Sequence, residues 1–130
     1  MDTARARRLV VGVTDIFFVS RIEAACAAAP ALDPVFAQPG DSLSRLCAVW
    51  QPCVLILDLQ DPVLDPLGEV GRIKSGPLRE RVEILGFLPH VRMDLRESAE
   101  KAGVDRIMVR SAFTRKLPQI LAGVISGTAP

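Results

Sequence analysis

The chain has 130 residues and a mass of 14.1 kDa, with 49% hydrophobic and 24% charged residues, the balance of a globular domain and not of a disordered one. Sixteen basic against fifteen acidic residues leave a formal charge of +1, which excludes bulk electrostatic capture of nucleic acid or membrane. No Tyr, one Trp and five Phe also argue against an aromatic platform for stacked bases.

No apolar run approaches the roughly 18 residues of a membrane span, and Arg5, Arg7 and Arg8 precede a short strand-like segment, not a signal sequence. The expectation is one cytoplasmic domain over residues 1–130, with an ordered core at 8–125 and no separate output domain. The first few residues and Ser126-Gly127-Thr128-Ala129-Pro130 read as loose ends. Cys26, Cys47 and Cys53 form no CxxC pair and read as reduced thiols.

Leu9-Val10-Val11-Gly12-Val13 is a continuous apolar run, as expected of a strand covered on both faces. Ile22, Cys26 and Ala29 then recur at helical spacing until Pro30. A weaker strand spans Pro34-Val35-Phe36-Ala37. Gly40-Asp41-Ser42 caps a helix with the apolar stripe Leu43, Leu46, Cys47 and Trp50. Cys53-Val54-Leu55-Ile56-Leu57 is the clearest strand and ends at Asp58. A helix carrying Leu67, Val70 and Ile73 stops near Gly76-Pro77, and Val82 to Phe87 forms the fourth strand. The fourth helix presents Leu95, Ala99 and Ala102, pairs Glu97 with Lys101, and ends at Gly103. Val104 to Val109 is the fifth strand. The last helix has Phe113, Leu117, Ile120, Leu121 and Val124 on one stripe, with Pro118 expected near its start.

Five strand–helix units, each with a crossover too long for a hairpin, predict an α/β fold: a parallel sheet with helices on both faces. Ligand chemistry in such sheets sits beyond the carboxyl ends of the strands. That selects Thr14, Asp15, Asp58, Gly86, Phe87 and Arg110. Two carboxylates converging there, Asp15 and Asp58, would repel unless a cation or Arg110 relieved them. The same aspartates also read as caps of the turns they open.

Asp58-Leu59-Gln60-Asp61-Pro62 behind an aliphatic strand resembles the phosphoacceptor turn of bacterial response-regulator receiver domains (CheY-like), and the resemblance runs from Leu9 to Val124. Ala102-Gly103-Val104-Asp105 is similar to the step before the family's fifth strand. The resemblance implies a flavodoxin-like three-layer sandwich with strand order 2-1-3-4-5, and Asp58 as phosphoacceptor. It implies Mg²⁺ held by Asp15, Asp58 and the main-chain carbonyl of Gln60. Thr14 then stands where the family has a second carboxylate. Gly86 or Phe87 replaces the family's hydroxyl, Arg110 its lysine, and Ser111 its cis-proline. Arg110 keeps the charge but spreads it over a planar fork.

These departures predict a degenerate, stand-alone receiver with an impaired pocket, acting through protein–protein contact with a histidine kinase or another signalling protein. A permanent Arg110 ion pair with Asp58 or Asp15 is expected to neutralise that pocket. The alternative is a working phosphoacceptor that uses Mg²⁺. A remote third reading is a small enzyme using Asp15 and Asp58 as acid and base. His90 reads as a solvent-facing loop residue, and no GxGxxG or Walker A loop supports nucleotide binding of those types. Residues 1–71 carry five basic and nine acidic groups, whereas 72–130 carry eleven and six. Arg92, Arg96, Lys101, Arg106, Arg115 and Lys116 therefore mark a basic face for a partner or a homodimer through the fourth helix, fifth strand and fifth helix.

Overall fold

A computed structural model describes residues 7–90 and 92–127. The loose ends expected before residue 7 and at Thr128-Ala129-Pro130 lie outside the described residues, as does Arg5. The elements run β1 Arg7–Gly12, α1 Ile16–Ala27, β2 Leu32–Phe36, α2 Leu43–Trp50 and β3 Val54–Asp58. They continue with α3 Pro66–Lys74, β4 Glu83–Leu88, α4 Met93–Ala102, β5 Arg106–Val109 and α5 Arg110–Ser126. All strand pairs are parallel, and the order is β2-β1-β3-β4-β5.

The apolar runs are continuous because both sheet faces are covered, and side chains alternate between them along each strand. Leu9, Val11, Ile56, Leu85 and Phe87 pack with Ile22, Phe113, Leu117 and Leu121 of α1 and α5. Val10, Leu55, Leu57, Ile84 and Leu88 pack with Leu43, Cys47, Val70, Ile73 and Ala99 of α2, α3 and α4.

Several boundaries differ from the sequence expectation. β2 carries Pro34 in its middle, which is tolerated because β2 is an edge strand paired only with β1. β5 begins at Arg106 and not Val104. α5 starts directly at Arg110, so Pro118 lies inside the helix and not near its start. Its missing N–H falls on an exposed turn, away from the buried stripe. Trp50, placed on the apolar stripe of α2, is 40% exposed and is covered by the Arg8 guanidinium 4.8 Å from its ring centre. On α4 the i,i+4 ion pair is Arg96–Glu100 at 3.6 Å, whereas Lys101, expected opposite Glu97, is exposed. Gly103 ends α4 with φ of +111°, the left-handed position that a glycine adopts without steric penalty.

Candidate functional site

β3 ends at Asp58, so the side chain leaves the sheet at its carboxyl edge, in register with Phe87 of β4. Asp58 is only 6% exposed. Its Oδ1 accepts the Gln60 backbone N–H at 2.9 Å, closing a short turn around the acid. Burial pushes the carboxyl above its ordinary range, and the neighbouring carboxylates of Asp61 and Asp15 push the same way. The Gln60 N–H and the positive charge of Arg110 pull against that shift without cancelling it.

The sign of that shift fixes a pH dependence. The folded chain keeps the Asp58 proton at pH values where the unfolded chain has released it, so stability falls as pH rises through that window. Asp58→Asn is therefore expected to raise the midpoint of thermal unfolding at neutral pH, with the gain vanishing on acidification towards about pH 4. Thermal melts of both proteins across this range measure it. A wild-type–mutant difference that is flat with pH would show that Asp58 titrates as a free carboxyl.

Thr14 and Asp15 follow β1. Thr14 donates both its backbone N–H and its hydroxyl to Asp61 Oδ2, each at 2.7 Å. Asp61 is buried, and its other oxygen accepts the N–H groups of Val63 and Leu64 at 3.0 and 3.1 Å. This carboxylate binds the β1–α1 loop to the β3–α3 loop, a role the sequence reading did not assign to it. The available signal was the Asp-Pro step, since an aspartate opening a turn accepts N–H groups two and three residues on. Asp15 is the N-cap of α1, accepting from Phe17 N at 2.9 Å and from Phe18 N at 3.3 Å.

Arg110 departs from the expected ion pair. Among the described residues no carboxylate lies within ion-pairing distance of it. Its guanidinium carbon sits 5.3 Å from the ring centre of Phe18 and 5.9 Å from that of Phe87, and its Nε is buried without a hydrogen-bond partner. The cause is the stack beneath it: Phe18, Phe87 and Phe113 have ring centres 4.6 to 5.8 Å apart. The weakly hydrated guanidinium plane lies against these rings while its charge still reaches Asp58 through space.

Gly86 is buried in β4, and a Cβ there would lie 2.7 Å from Leu59 Cδ2 and 2.8 Å from its Cγ. Leu59 fills the space in which a side chain at this position would stand. Gly86→Ser is expected to destabilise the fold by about 1–3 kcal/mol through overpacking, and Leu59→Ala in the same chain should recover part of the loss. Denaturant melts of the two variants test this.

For a divalent cation, the donors at this edge are Asp15, Asp58 and the Gln60 carbonyl. One oxygen of each carboxylate already accepts backbone N–H groups. Among the described residues no three His, Cys, Asp or Glu side chains are grouped to hold a metal.

Of the basic face, Arg92 pairs with Asp94 at 2.7 Å and Arg96 with Glu100, while Lys101 and Lys116 are exposed. Arg96 and Arg106 line a groove beside Ile107 and Met108. Arg115 stands apart from these, in a cleft with Arg21 and Arg110 on the α1 side. His90 is exposed in the β4–α4 loop, and Cys26, Cys47 and Cys53 are free thiols. Burial, helped by the charge of Glu69, pushes the Cys47 thiol up to about 12. Among the described residues no helix is long and apolar enough to cross a membrane.

No protein-family model and no curated protein matches the chain. Solved structures do. The signal receiver domain of a DNA-binding response regulator from Colwellia psychrerythraea superposes with a TM-score of 0.73 at 17% identity, over 89% of this chain and 98% of that one. The phosphorylated cyanobacterial phytochrome response regulator RcpA gives 0.71 at 19% identity, over 92% and 91%. The Mn²⁺-bound form of the response regulator Rcp1 gives 0.72 at 14%, over 95% and 99%. The chain has the fold of bacterial response-regulator receiver domains, the CheY-like form of the flavodoxin-like sandwich.

Proposed function

We propose that this chain is a degenerate receiver: a cytoplasmic, non-enzymatic signalling module of the two-component type that works by protein–protein contact. Its pocket around Asp58 is impaired as a phosphoacceptor. The observation that carries this reading is Arg110, held on the Phe18–Phe87 stack where a receiver needs a cation free to meet a phosphoryl group. Thr14, tied to Asp61, adds no negative charge for a metal. Residues 86–89, Gly-Phe-Leu-Pro, offer no hydroxyl to follow a phosphoryl group. The partner is a histidine kinase or another signalling protein. Arg92, Arg96, Lys101, Arg106 and Lys116 suit an acidic partner or a second copy of the chain across α4, β5 and α5.

A second reading keeps Asp58 as a working acceptor. In its favour, only one Asp58 oxygen accepts a hydrogen bond among the described residues, and receivers of this fold are known phosphorylated and Mn²⁺-bound. In that case Asp58, Asp15 and the Gln60 carbonyl would hold Mg²⁺, which would shield the incoming phosphoryl charge. Incubation with acetyl phosphate and Mg²⁺, read by intact mass, separates the two. The impaired pocket predicts an unchanged mass. A monophosphoryl shift in the wild type that is lost in Asp58→Asn would overturn it.

A further inference from the structure

The N-terminal halves of α1 and α5, with Pro89, line an open cleft of about 550 Å³. Three arginines line it, Arg21, Arg110 and Arg115, and among the described residues no carboxylate does. Glu23, two residues beyond Arg21, lines a different groove with Cys26 and Pro34. The cleft also receives the start of α5, a helix of 17 residues whose N-cap, Val109, supplies no side-chain acceptor for the first N–H groups. Ser111 and Thr114 of the same turn add hydroxyls. Guanidinium forks, hydroxyls and free helix N–H groups together match a phosphate.

An apolar side chain completes the site. Phe17 is 84% exposed at the mouth of the cleft and takes no part in the Phe18–Phe87–Phe113 stack. Phe18, by contrast, stacks on Phe87 and lies under Arg110. Phe17 is thus a ring with open faces beside a cationic pocket.

The geometry points to a binding site for a small phosphorylated compound with a planar ring, of which a nucleoside monophosphate is the simplest. The phosphate lies among Arg21, Arg115 and the start of α5, and the ring stacks on Phe17. The site needs no glycine-rich loop because side chains supply the cations. It shares Arg110 with the pocket around Asp58 but does not use that carboxylate.

Isothermal titration of the full chain with adenosine 5′-monophosphate at low salt tests it, with adenosine and inorganic phosphate as companions. The monophosphate should bind, phosphate alone about tenfold more weakly, and adenosine not measurably. Arg21→Ala and Arg115→Ala should each weaken binding about tenfold. Phe17→Ala should weaken the monophosphate and leave phosphate unchanged. All three side chains are exposed, so the variants should fold. Absence of binding at about millimolar ligand, binding indifferent to both arginines, or binding of an acidic peptide in place of the nucleotide would each overturn the proposal.

Discussion

Asp61→Ala is expected to destabilise the fold by about 3 kcal/mol, because a buried carboxylate that satisfies four donors is lost at once. Thr14 loses the partner of both its N–H and its hydroxyl, and Val63 and Leu64 lose the acceptor that shapes their turn. Asp61→Asn should fall between, since an amide keeps one accepting oxygen of the two. Thr14→Val removes one bond only and should cost about 1 kcal/mol. Urea unfolding of the three variants measures the order. An Asp61→Ala protein within about 1 kcal/mol of the wild type would mean that water replaces the carboxylate and that the two loops are not joined through it.

The other large effect lies under Arg110. Phe87 is fully buried, stacked 4.6 Å from Phe18 and 4.8 Å from Phe113. Phe87→Ala should therefore cost about 3–5 kcal/mol, and Phe87→Leu, which keeps most of the volume, less than about 1.5 kcal/mol. Phe87→Leu has a further consequence. With part of the aromatic surface gone, the guanidinium loses one of its two ring contacts and its balance shifts towards Asp58. The Asp58 carboxyl, now held above its ordinary range by burial, should then titrate lower, which carboxyl ¹³C chemical shifts against pH would report. An unchanged Asp58 titration would show that Phe18 alone holds the arginine in place.

Most of the architecture is legible along the chain. The runs at Leu9 and Cys53 are apolar without alternation, and the run at Val82 is interrupted only by Glu83, as expected of strands covered on both faces; helical periodicity between them leaves little choice but a parallel sheet. Asp58 was identifiable for a local reason: it is the first polar residue after a buried strand, and the chain must there turn out of the sheet. Gly103 was identifiable in the same way, from the end of an apolar stripe.

The chemistry at the sheet edge was legible only in part. In sequence Asp15 and Asp58 read equally as a facing pair and as caps of their turns, and in the fold each spends an oxygen on N–H groups two or three residues ahead. Asp61 escaped notice because its decisive partner, Thr14, lies 47 residues away. Arg110 was expected on a carboxylate because charge is visible in a sequence, whereas a stack of three phenylalanines from α1, β4 and α5 is not. Periodicity records which face of an element is buried. It does not record which side chains from distant elements meet there, and at this edge those meetings set the charge of the pocket.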